Sequence, residues 1–145
     1  MKETLIKWYP PSGLNSCHWV EDMGYEENGL FLDLYPDNEK EPNKAVLHFE
    51  HGVKAYRYTY ESYGFDLYDN YLFGKNKNKP KEPWWYFKVK NSEYIKLLSQ
   101  QTSNVNYNKL THFVIIGQDQ IIDIVAAEEP KITFTKITTK KILWS

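Results

Sequence analysis

His48 and His51, with Glu50 between them, are residues whose types suggest metal chemistry. On a helix a spacing of three would bring both imidazoles to one face. Here the neighbours read as a strand end and a turn, where an odd spacing points side chains apart. A zinc-protease helix needs a Glu directly after the first His and a second His at the fourth position beyond it, and this chain has neither. Zinc sites take three or four converging ligands, so no metal is expected. Cys17, the single cysteine, sits beside His18. A catalytic thiolate needs a base that converges on it in space, and strand neighbours diverge, so Cys17 reads as inert. Asp33, Glu50 and Asp123 are carboxylates that a glycosidase could pair across a cleft, but nothing in their spacing brings two together. No G-x-S-x-G, P-loop or G-x-G-x-x-G occurs, and no cofactor is implied.

Two polar residues stand out within apolar surroundings. Asp123 lies in the run Ile121-Ile122-Asp123-Ile124-Val125, and Arg57 is the only Arg among eighteen basic residues. If Ile122 and Ile124 face the core, Asp123 faces solvent or a groove, where a charge guards a strand against aggregation. The sharper reading pairs Asp123 with Arg57 or a lysine. Arg gives forked recognition of a carboxylate that Lys cannot. Asp33 and Asp123 are the candidate partners of Arg57.

The aromatic residues carry the remaining signal: twelve Tyr, seven Phe and five Trp in 145 residues. Tyr56, Tyr58 and Tyr60 share one face of an expected strand, opposite Ala55, Arg57 and Thr59. In Trp84-Trp85-Tyr86-Phe87 both faces are aromatic. Rings beyond those one small core can hold must meet the helix, a second sheet or a ligand. Tyr56, Arg57, Tyr58, Trp84, Tyr86 and Asp123 are therefore the candidate ligand- or partner-binding residues.

Alternating runs supply the elements that must position these residues. Strands are expected over 18–20, 29–35, 45–50, 53–60, 64–68, 84–90, 111–116, 121–126 and 132–137. His51-Gly52 suggests a tight hairpin. Residues 74–83 read as a polar loop whose lysines are solvated. Ser92 caps one helix, 92–101, with Tyr94, Leu97, Leu98 and Gln101 on a single stripe. Residues 111–116 are apolar on both faces, as in a central strand. The expected fold is a single mainly β (α+β) domain over 1–145: an antiparallel β-sandwich or partly open barrel with one packed helix. Trp8 and Tyr9 are expected to cap one end of the core.

The charge is polarised. Residues 1–43 hold nine acids and three lysines, whereas 44–145 hold fifteen bases and ten acids. Glu21, Asp22, Glu26, Glu27, Asp37, Glu39 and Glu41 form a candidate acidic partner surface. A net charge of −1 argues against general nucleic-acid binding. No apolar run approaches the roughly 20 residues of a membrane helix, and the start lacks a secretory signal, so a cytoplasmic protein without membrane contact is expected.

Phe87, Val89, Asn91, Ser92, Tyr94, Leu98, His112, Phe113, Ile115, Asp119, Ile122, Asp123, Ile124, Val125 and Pro130 form a pattern over 87–130. It resembles small β-rich proteins of low-GC bacteria, of accessory or toxin-immunity type. The resemblance implies a shared fold and a protein partner. The leading functional expectation is a non-enzymatic protein-binding module, such as an immunity-type inhibitor. The alternative is a small-ligand or carbohydrate-binding β domain that uses the aromatic surface.

Overall fold

The computed structural model describes residues 3–14, 18–38, 40–60, 84–102, 106–117 and 120–137. Among these residues the strands are β1 (Thr4–Lys7), β2 (His18–Glu26), β3 (Gly29–Pro36), β4 (Asn43–Phe49), β5 (Val53–Tyr60), β6 (Tyr86–Lys90), β7 (Thr111–Ile116), β8 (Gln120–Ala126) and β9 (Lys131–Lys136). A helix, α1 (Glu93–Gln101), follows β6. The strands form a five-stranded sheet, β1-β6-β7-β8-β5, and a four-stranded sheet, β2-β3-β4-β9, all antiparallel. The two sheets pack as a sandwich, and they do not close into a barrel. The expected strand at 64–68, the loop at 74–83, and Cys17, Glu39 and Asp119 lie outside the described residues.

Alternation explains the packing. Leu30, Leu32 and Leu34 of β3 and Ala45, Leu47 and Phe49 of β4 turn inward and are buried. They meet Phe113 and Ile115 of β7 and Ile122 and Ile124 of β8, which are also buried. Each buried Leu or Ile contributes about 2 kcal/mol. The five-stranded sheet buries its other face as well, through Phe87, Val89, Val114, Ile116 and Ile121. This accounts for the apolar run Phe113–Ile116 of β7, which is the middle strand of its sheet.

His51-Gly52 does not make a hairpin. β4 pairs with β3 and β9, whereas β5 pairs with β8, so the chain crosses here from one sheet to the other. Residues 127–130 make a second crossing between β8 and β9. The Ala127 N–H donates to the Gly52 carbonyl at 3.0 Å and ties the two crossings together. Lys131 and Glu50 form an ion pair beside them. Gly52 has φ +72°, and a Cβ there would lie 2.7 Å from the Ala127 Cβ, so only glycine fits without a shift.

The first stretch holds more order than its sequence suggests. β1 adds to the edge of the five-stranded sheet beside β6, with Leu5 opposite Val89. β2 continues to Glu26, well beyond the expected strand at 18–20. It accommodates a bulge between Val20 and Asp22. Trp8 is buried against Phe113, whereas Tyr9 remains 68% exposed.

Asn91, at φ +58°, turns the chain from β6 into α1. Asn tolerates this left-handed conformation better than most residues. Ser92 then caps the helix, its Oγ accepting the Ile95 N–H at 3.0 Å. Tyr94, Ile95 and Leu98 are half-buried, but Leu97 is 49% exposed. Leu97 of the expected stripe is thus turned outward, whereas Ile95, beside that stripe, is half-buried.

At Gly29, φ is +112° and a Cβ would lie 2.1 Å from the Phe49 carbonyl oxygen. Gly29→Ala is expected to lower the stability by on the order of 3 kcal/mol in urea unfolding. At Gly24 a Cβ meets nothing within 4 Å, and Gly24→Ala should leave the midpoint close to wild type.

Candidate functional site

Arg57 and Asp123 face each other across β5 and β8, on the sheet face away from the four-stranded sheet. The Arg57 Nε donates to Asp123 Oδ2 at 2.9 Å, and Asp33 instead pairs with Lys44 at 2.7 Å. That bond holds the Lys44 pKa above its ordinary value. Asp123 is not a solvated guard: it is 0% exposed. Alternation predicts one wet face, but β8 lies between β7 and β5 and is buried on both faces.

A second partner satisfies the carboxylate. His112 Nε2 lies 2.7 Å from Asp123 Oδ1, and Ser92 Oγ lies 2.7 Å from His112 Nδ1. One neutral tautomer fits the chain of bonds: Nε2–H donates to Asp123, and Nδ1 accepts the Ser92 hydroxyl proton. Ser92 Oγ in turn accepts the Ile95 N–H. Tyr94 completes the cluster. Its ring stands edge-on to His112, with centroids 5.6 Å apart, and the Arg57 guanidinium lies 4.3 Å from its centroid. Burial pushes the Tyr94 phenol pKa up; Arg57 opposes this, and Asp123 adds to it.

Serine, histidine and aspartate are also the parts of a hydrolytic triad. A nucleophile needs a substrate carbonyl within reach. Ser92 is 6% exposed and its oxygen is held by the first turn of α1, so this hydroxyl acts as a cap. The relay fastens α1 to the sheet. Among the described residues no group of three or more His, Cys, Asp or Glu could hold a metal ion. His48 stacks on Phe31 at 3.9 Å, and its Nε2 lies 2.6 Å from the Asn28 carbonyl oxygen.

Of the other expected binding residues, Trp84 and Tyr86 meet edge-to-face, with centroids 6.1 Å apart. Tyr86 is buried in the inter-sheet core, and Tyr58 packs against that core. Trp84 precedes β6, packs its ring at a tilt against Tyr9 with centroids 4.9 Å apart, and donates its indole N–H to the Trp8 carbonyl. Tyr56 is 41% exposed and stacks on Tyr25 of β2, with centroids 6.1 Å apart. These two rings, with Val53, Lys54 and Ala55, line an open hollow of about 330 Å³. Neither the Tyr25 stack nor the bond between Ser92 and His112 is apparent from sequence patterning. The available signal was two polar residues, His112 and Asp123, in two otherwise apolar runs.

The acidic residues share a location. Glu21, Asp22 and Glu26 lie on β2, at the edge of the four-stranded sheet, and Glu27 follows in the turn. Asp37 and Glu41 lie in the β3–β4 connection at the opposite end of the hairpin. All six are exposed. From Glu21 to Glu26 the acids extend along roughly 17 Å of edge. Glu39 lies outside the described residues.

No family model, curated protein or solved structure matches this chain. Among the described residues no helix is long and apolar enough to cross a membrane.

Three substitutions separate the parts of the relay by their unfolding midpoints. Asp123→Ala leaves His112 and Arg57 without their acceptor and should cost on the order of 3 kcal/mol. Ser92→Ala should cost about 1 kcal/mol through the lost cap. Arg57→Lys keeps the charge but loses the Nε geometry and the planar contact with Tyr94, for about 1 kcal/mol at this half-exposed site. An unchanged midpoint for Arg57→Lys would reduce Arg57 to a surface charge.

Proposed function

We propose that this chain is a non-enzymatic protein-binding module, of immunity-inhibitor or accessory type, that docks a basic partner along β2. The observation that carries this reading is the placement of the exposed Glu21, Asp22 and Glu26 on the edge strand β2 and of Glu27 in the turn that follows it, with the exposed Asp37 and Glu41 in the β3–β4 connection. Opposed charges steer association and select partners more than they add raw affinity. The buried state of Ser92, His112 and Asp123 is in keeping with a role without chemistry. The shared requirement of such partners is a complementary surface, and a rigid sandwich edge supplies one.

Affinity capture with wild type and with the variant Glu21→Lys/Glu26→Lys/Glu27→Lys tests this reading. Wild type should retain a basic protein that is released by about 0.5 M salt, where screening falls to a few ångströms. The variant, with an unchanged melting midpoint, should retain at least tenfold less of it. Recovery of the same proteins in equal amounts on both columns would overturn the proposal.

A further inference from the structure

We infer that the partner presents an extended basic segment that adds to β2 as a further strand of the four-stranded sheet. The inference rests on the protein-binding reading above and specifies its mode of recognition. β2 ends the strand order, and among the described residues β3 is its only strand neighbour.

One side chain already occupies this edge in the manner of a strand. The Val20 N–H donates to Gln120 Oε1 at 2.6 Å, and Gln120 Nε2 donates to the Val20 carbonyl at 2.9 Å. The carbonyl oxygen and one N–H of this primary amide reproduce the acceptor and donor that a strand residue presents. Val20 therefore directs both backbone groups away from β3. Val20, Met23 and Tyr25 stand opposite Leu34, Leu32 and Leu30, with the bulge absorbing Glu21. Residues in one phase of a ladder direct their backbone groups to the same side, so Met23 and Tyr25 also present N–H and C=O outward. Among the described residues no hydrogen bond reaches these two backbones from outside the sheet.

The side chains specify the occupant. Glu21, Asp22 and Glu26 are exposed, and β2 contains no lysine. Two copies of this edge repel each other, which protects against self-pairing. A segment with Lys or Arg at alternate positions meets the opposite charge on one side and a hydrogen-bonding edge along its backbone. At the Tyr25 end, the hollow of about 330 Å³ gives space for a large side chain from that segment.

Two synthetic peptides of equal charge and length provide the test: one alternating Lys and Val, the other alternating Lys and Pro. Proline removes the backbone donors while keeping the charge. The Lys-Val peptide should bind at least tenfold more tightly, measured by fluorescence anisotropy at low salt. It should also slow hydrogen exchange at the Met23 and Tyr25 amides. Met23→Pro, which leaves the carboxylates in place, should remove the discrimination; the amide exchange of wild type decides the matter if that variant does not fold. Equal binding of both peptides, lost in Glu21→Lys/Glu26→Lys, would overturn strand addition and leave the acidic edge as a charge surface. Lys-Val binding indifferent to that charge reversal would overturn the acidic-edge reading as well. No binding of either peptide, or binding without protection at Met23 and Tyr25, would also overturn strand addition.

Discussion

A carboxylate removed from water must find its hydrogen bonds within the protein, and Asp123 binds together three elements in doing so. Arg57 reaches it from β5, and His112 from β7. His112 passes the demand on to Ser92, whose oxygen also closes the first turn of α1. The position of the helix on the sheet is thus set by a polar chain in which each member satisfies the next. Apolar packing alone would hold α1 loosely, since none of its residues is fully buried. A network of this type is directional, and loss of one member is expensive because His112 and Asp123 stay buried. The same network explains why Arg stands at position 57: its flat guanidinium can bond Asp123 while covering the Tyr94 ring.

Much of the fold was legible because local alternation and burial agree. β3 and β4 each show one apolar face in sequence and one buried face in the structure. Ser92 was readable as a cap because Ser at a strand–helix junction has a specific backbone donor to accept. The crossing at Gly52 was not readable. A strand, a glycine and a second strand look alike whether the chain folds back or changes sheet. That choice is made by β8 and β9, some seventy residues later, which offer β5 and β4 their pairing partners. The burial of Asp123 escaped for a related reason. Period-two reasoning assigns one face to solvent, whereas among the described residues β8 has a strand on either side and α1 docks on that face through Ser92 and Tyr94.

The candidate site was legible in its parts and not in its grouping. Arg57 and Asp123 were singled out by type, and the register places them directly opposite one another. The aromatic set was divided by the fold itself: Tyr86 went to the core, Tyr56 to an exposed stack with Tyr25, and Trp84 to a contact with Tyr9. Ring count reports how much apolar surface a chain carries, and only the strand order says which rings remain outside. The acidic residues behaved differently. Charge is hard to bury, so a run of carboxylates stays at the surface wherever the chain goes, and their proximity in sequence survives folding along one hairpin.

The paired crossings have a consequence for how the molecule is made. β4 and β5 run side by side with β9 and β8 through the bend, so one long ribbon belongs to both sheets. During synthesis the β2–β3–β4 meander can pair as it emerges, since its contacts are local. The five-stranded sheet cannot: β1 waits for β6, more than eighty residues later, and β5 waits for β8. Until the final third of the chain has left the ribosome, the inner face of the meander has no second sheet to cover it. Leu30, Leu32, Leu34, Leu47 and Phe49 stay wet in the nascent chain, a state in which apolar strands are most exposed to misassociation. The acids strung along β2 repel copies of that half-made sheet, and they would serve the nascent chain before they serve the finished one.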